Sequence, residues 1–66
     1  MEYSVRYSVF GKNGLMGVEN YGFEAENDEE AKEIALQHET DYSAPKRELL
    51  LDFIEDEDGN EIEWER

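Results

Sequence analysis

The sequence predicts an α+β fold: an antiparallel sheet of about four strands with one helix on one face, in the order β-β-α-β-β. Three observations lead there. Apolar and polar residues alternate strictly near both ends of the chain, the mark of strands with one buried face. Between them lies an apolar stripe at helical spacing, preceded by capping residues. Asn-Gly and Asp-Gly pairs interrupt the two alternating regions, as hairpin turns do.

The first strand is "EYSVRYSVF", residues 2–10, with Tyr3, Val5, Tyr7 and Val9 on one face and Ser4, Arg6 and Ser8 on the other. The second, "VENYGFEAE", puts Tyr21, Phe23 and Ala25 on one face. Between them, in "GKNGLMG", Asn13-Gly14 suggests a two-residue type I′ turn. That turn would set Val5 opposite Gly22 and Tyr7 opposite Asn20. A loop of odd length instead pairs Tyr3 with Ala25, Val5 with Phe23 and Tyr7 with Tyr21. A slip of one residue turns every side chain to the other face, so the apolar match decides. The expectation is a three- or five-residue loop with a bulge at one of its glycines.

In "ENDEEAKEIALQHETDY" Asn27 caps a helix, and Glu30, three residues on, reaches back in the manner of a capping box. Asp28, Glu29 and Glu30 fill the first turn, where carboxylates favour the helix dipole. Ala31, Ile34, Ala35, His38 and Tyr42 form the apolar stripe, and Leu36 falls beside it. Pro45 forces Ala44 into extended backbone, which ends the helix near Tyr42.

The last two strands are "KRELLLDFIE" and "NEIEWER". A two-residue Asp58-Gly59 turn would pair Glu57 with Asn60, Glu55 with Ile62, Phe53 with Trp64 and Leu51 with Arg66. Leu49, Leu51, Phe53, Ile62 and Trp64 then share the buried face. The same register sets Asp56 across from Glu61, Ile54 across from Glu63 and Asp52 across from Glu65, with Leu50 on that side too. Like charges directly opposite destabilise a sheet. Two such pairs in one hairpin suggest rows of carboxylates kept for cations on another molecule.

Residues 23–31, "FEAENDEEA", run from a strand into a capped helix that an acidic strand then follows. In this the chain resembles the DpnD/PcfM-like proteins, very small acidic proteins carried by mobile elements. The resemblance implies a phage or conjugative-element setting and no particular chemistry.

Composition narrows the function. Sixty-six residues suggest one domain, with a core worth about 3–5 kcal/mol that a dimer interface or partner would supplement. There is no cysteine, hence no disulfide, thiolate metal site or thiol catalysis. No apolar run has the length of a membrane span or signal peptide, so a cytoplasmic location is expected. The net charge is −13, and it is unevenly placed. In residues 1–23 Glu2 and Glu19 balance Arg6 and Lys12, whereas residues 24–65 carry seventeen acids against Lys32, Lys46 and Arg47. Such a surface argues against direct binding to nucleic acid or membrane and for a basic partner.

Catalysis has no residue set: His38 is the only histidine and lies on the apolar stripe, and no serine or threonine has a base near it in sequence. No cofactor is implied. Asp56, Asp58 and Asn60 match positions 1, 3 and 5 of a calcium loop. Position 6, which needs glycine, is Glu61, position 12 falls past Arg66, and alternation follows where a helix is required. Weak calcium binding by clustered carboxylates stays open. The reading favoured by charge and size is a non-enzymatic acidic binding protein that mimics nucleic-acid phosphates, in composition similar to phage inhibitors of the anti-CRISPR or anti-restriction type. Its binding residues would be Asp52, Asp56, Glu61, Glu63 and Glu65, supported by Glu29, Glu30 and Glu33. The alternative is a small structural or oligomerising domain, a homodimer for instance, whose acidity serves solubility.

Overall fold

The computed structural model describes residues 1–65. Strands β1 (Glu2–Gly11) and β2 (Gly14–Glu24) are followed by helix α1 (Asp28–Tyr42) and strands β3 (Glu48–Asp56) and β4 (Glu61–Ile62). They build one antiparallel sheet in the order β2-β1-β3-β4, and α1 packs on β3 and, less extensively, on β1. This is the α+β architecture that the alternation and the helical stripe predict.

The core lies between α1 and one face of the sheet. Tyr3, Val5, Tyr7 and Val9 of β1 are buried, with Ala31 and Ala35 of α1 fully enclosed above them. The two alanines, lacking bulk beyond Cβ, let the helix come close to the strands. The predicted N-cap forms: Asn27 accepts the Glu30 N–H at 2.9 Å. Glu30 reaches back one residue further than a capping box does, accepting the Glu26 N–H at 3.2 Å. The helix ends at Tyr42, and the Ser43 N–H still reaches the Glu39 carbonyl at 3.1 Å.

The first hairpin keeps the expected faces but changes partners. Tyr3 pairs with Phe23, Val5 with Tyr21 and Tyr7 with Glu19, two residues from the expected register. Lys12 and Asn13 make the turn between paired Gly11 and Gly14. Neither has positive φ, so the turn is not type I′; Gly14 carries the positive φ, 105°. Val9 pairs with Gly17 and Phe10 with Leu15, so a bulge does form, but at Met16 and not at a loop glycine, and the turn has two residues where three or five are expected. The shorter loop is reached by moving the extra residue out of the turn and into the strand. The chosen register stacks Tyr3 on Phe23, ring centres 5.9 Å apart and planes 17° from parallel.

A second bulge governs the other half of the sheet. Tyr7 pairs with Leu51 but Arg6 pairs with Phe53, so Asp52 is an inserted residue in β3. Ahead of it Leu49 and Leu51 face the core; beyond it the phase reverses and Ile54 is fully buried. Ile54 therefore does not lie on an acidic face, and Phe53 turns to the open face, where the Arg6 guanidinium sits 5.8 Å from its ring centre. The insertion is held from both sides of the sheet. On the helix side the Glu39 carboxylate, only 8% exposed, accepts the Leu51 N–H at 2.6 Å. On the open side the Ser8 hydroxyl donates to the Asp52 carboxylate at 2.8–2.9 Å.

The phase reversal corrects the second hairpin too. Ile54 pairs with Ile62 and Glu55 with Glu61, one residue from the expected register. The connection is a three-residue loop, Glu57-Asp58-Gly59, not a two-residue turn: Gly59 N–H bonds the Asp56 carbonyl at 3.0 Å and Asp56 N–H bonds the Asn60 carbonyl at 2.9 Å. Gly59, at φ 83°, supplies the left-handed position that such a loop needs. Buried Ile54 demands an apolar partner, and Ile62 is the residue that meets it. Consequently the pairs Asp56–Glu61, Ile54–Glu63, Asp52–Glu65 and Phe53–Trp64 do not form, and strand pairing stops at Ile62. The Leu51–Arg66 pair is replaced on the Leu51 side by Tyr7, and Arg66 lies outside the described residues.

Glu39 is thus a structural carboxylate. Glu39→Ala leaves the Leu51 N–H buried without its acceptor and is expected to cost about 1–3 kcal/mol. Glu39→Gln keeps an acceptor oxygen and should cost less; urea denaturation of both variants measures the difference.

Candidate functional site

Five of the eight predicted binding residues meet in one place. The first turns of α1 and the segment following β4 face each other across an open concavity of about 820 Å³. Glu29 and Glu33 line it from the helix, and Glu61, Glu63 and Glu65 from the opposite wall. These positions follow from local rules: residues 29 and 33 are one helical turn apart, while 61, 63 and 65 alternate with core-directed Ile62 and half-buried Trp64. Leu36, half-buried beside the helical stripe, and Ile62 and Trp64 supply its apolar part. Lys32, half-buried, also lines it, 3.3 Å from the exposed Glu29 carboxylate in an ion pair worth little by itself.

The other three residues are elsewhere, each with a task in the fold. Asp52 lies across the sheet, bonded to Ser8. Glu30 is engaged at the helix N-terminus. Asp56 organises the second hairpin: one carboxylate oxygen accepts the N–H groups of Asp58 and Asn60, each at 2.9 Å. These bonds tie the Asp56 carboxylate to the backbone of its own turn. Among the described residues no group of three or more carboxylate or imidazole side chains is disposed to hold a metal ion. Nor is any helix among them long and apolar enough to cross a membrane.

The sequence reading missed Lys32 and Trp64 as parts of this site, and Glu39 as a core residue. For Glu39 the signal was present: it continues the Ala31, Ala35 spacing by one further turn. For Lys32 and Trp64 there was none, because the meeting of the helix with the segment after β4 depends on the β3 register.

His38 stands at the centre of a ring cluster. Its imidazole stacks on Tyr21 at 3.9 Å and lies 4.4 Å from Tyr42 and 5.3 Å from Tyr7. Its Nε2 is buried with no hydrogen-bond partner among the described residues, and no nucleophile is bonded to it. A packed aromatic role accounts for this placement. The Tyr7 hydroxyl donates to the Ala35 carbonyl at 2.5 Å, and burial, with Glu39 next, pushes its pKa well above the ordinary value. The Tyr3 hydroxyl donates to Asp28 at 2.8 Å; burial first, then that bond and the Asp28 charge, push it up to about 12.

Two expectations follow. Between pH 10 and 12 the unfolded chain gives up the Tyr3 proton while the folded chain keeps it, so stability falls as pH rises through that window. Tyr3→Phe has no such proton, and its thermal midpoint should decline less steeply over the same range. Separately, Asp56→Ala removes the acceptor of two turn N–H groups and should cost about 1 kcal/mol, whereas Asp56→Asn, which keeps an acceptor, should be milder in urea titrations.

Comparison of the chain with protein-family models, with curated proteins and with solved structures gives no match, so its function must be argued from the site itself.

Proposed function

We propose that the protein is a non-enzymatic acidic binding module that engages a basic surface on another protein, by the concavity between α1 and the segment after β4. The observation that carries this reading is the convergence of Glu29, Glu33, Glu61, Glu63 and Glu65 on a single concave surface. Like charges gathered there cost stability unless a cation is supplied, and a partner's lysines and arginines supply it. Ile62, Leu36 and Trp64 give the aliphatic stems of those side chains an apolar bed. Basic clefts of this kind are the ones that grip phosphates, so the favoured partner is a nucleic-acid-binding protein whose phosphate groove the module occupies. A phage or mobile-element inhibitor of the anti-CRISPR or anti-restriction type, acting in the cytoplasm, fits this chemistry. The binding set is narrower than the sequence suggests: Asp52, Asp56 and Glu30 serve the fold, and the five residues of the concavity carry the contact.

The test is displacement of a labelled oligonucleotide from basic nucleic-acid-binding domains, read by fluorescence anisotropy. Binding should weaken at least tenfold between low and high salt, because it rests on charge. The double reversal E33K/E63K should lose it while circular dichroism stays unchanged, and D52N should keep it. Displacement indifferent to salt and to the double reversal would contradict the proposal.

A further inference from the structure

The two edges of the sheet are unlike. β4 is two residues long and followed by Glu63 and Glu65, so it offers little to pair with. β2 is eleven residues long, and from Gly17 to Glu24 it runs regularly with neither proline nor lysine. Its hydrogen-bonding phase can be counted. Met1 and Ala25 exchange both backbone bonds, each at 3.0 Å, so the alternation gives exchanged bonds at Tyr3–Phe23, Val5–Tyr21 and Tyr7–Glu19. The N–H and C=O groups of Val18, Asn20, Gly22 and Glu24 therefore point to the free edge.

This edge is less acidic than the rest of a chain of net charge −13, with Glu19 and Glu24 as the acids of its residues 18–24. Glu2 and Glu19 are offset by Arg6 and Lys12 over residues 1–23, and Glu19 is in addition ion-paired to Arg47. Val18 is 50% exposed, and α1 sits over β3 and β1, leaving the helix side of β2 to the half-buried rings of Tyr21 and Phe23.

We propose that this edge is the interface with a second copy of the chain, β2 pairing antiparallel with the partner's β2 about a two-fold axis at Tyr21. Charge selects both the occupant and the register. A basic strand is drawn to the acidic side of the molecule, not to this one, and two like-charged protomers approach most readily where their charge is lowest. A register centred on residue 19 would set Glu19 against its copy. One centred on residue 20 would run Glu24 against Met16, where the bulge breaks the ladder. Centred on Tyr21, residues 18–24 all pair: Val18 meets the partner's Glu24, Glu19 the partner's Phe23, and Asn20 the partner's Gly22. No acid then opposes an acid. Tyr21 meets the partner's Tyr21 as a non-hydrogen-bonded pair, the closer kind, extending the stack on His38.

Sedimentation equilibrium over protein concentration and salt tests this. The wild-type chain should dimerise, and salt should tighten the dimer several-fold by screening the protomers' mutual repulsion, opposite in sign to its effect on a basic partner. Gly22→Pro removes an N–H that the monomer does not use, at a position where an added Cβ meets nothing nearer than the Tyr3 carbonyl oxygen at 4.0 Å. It should be monomeric with an unchanged circular dichroism spectrum. Tyr21→Cys, in a chain with no other cysteine, should give a covalent dimer on mild oxidation, and Glu19→Cys should not. The proposal is overturned if the wild type stays monomeric to about 1 mM. A folded Gly22→Pro that still dimerises overturns it too, as does a Tyr21→Cys chain that stays uncrosslinked; with a monomeric wild type, the edge is left to a strand of another protein.

Discussion

A single inserted residue, Asp52, and the buried carboxylate of Glu39 beneath it set the phase of half the sheet. Without the insertion β3 would alternate continuously from Leu49 to Glu55, placing Phe53 in the core and Ile54 outside. With it, Leu49, Leu51 and Ile54 all face α1. The bulge leaves the backbone beside Asp52 outside the regular ladder, and a buried N–H left unbonded is costly. Glu39 meets the Leu51 N–H from the helix side, and Ser8 steadies Asp52 from the other. An acid in the core of so small a domain is otherwise hard to account for; here it is bonded, as a buried polar group must be.

The consequences run to the candidate site. Once Ile54 is inside, its cross-strand partner must be apolar, which selects Ile62 and lengthens the turn by one residue, Glu57. That choice directs Glu61, Glu63 and Glu65 to the wall facing Glu29 and Glu33 and ends β4 after two residues. The acids thus divide by role. Glu39, Asp52 and Asp56 hold backbone or side-chain donors, Glu30 and Asp28 serve the helix start and Tyr3, and Glu29, Glu33, Glu61, Glu63 and Glu65 line the concavity.

Much of this was legible in the residues. The alternation of Tyr3, Val5, Tyr7 and Val9 and the Asn27 cap gave strand, face and helix start, because each depends on neighbours within a few positions. The helix end before Pro45 is equally local. The turns were less legible. Asn13-Gly14 and Asp58-Gly59 each signal a two-residue turn, yet in both hairpins a bulge or an additional loop residue corrects the phase. Bulges are decided by what must pair across the sheet, and a sequence read strand by strand does not contain that competition. The apolar run Leu49–Leu50–Leu51 followed by Phe53 and Ile54 fits either phase equally well, so only the acceptor on α1 decides it. The carboxylates of the site were found as residues, but their grouping was wrong for that reason: two rows on a hairpin became one concavity shared with the helix.

The register of β3 is accordingly the point on which the account stands, and cross-strand Hα–Hα contacts in a nuclear Overhauser spectrum report it directly. In an antiparallel pair the closest Hα atoms belong to directly opposed residues of the non-hydrogen-bonded kind. The account predicts that the contacts place Val5 against Ile54 on one side of β3 and Glu55 against Glu61 on the other. Contacts placing Val5 against Phe53, or Ile54 against Glu63, would mean an uninterrupted strand and would contradict it.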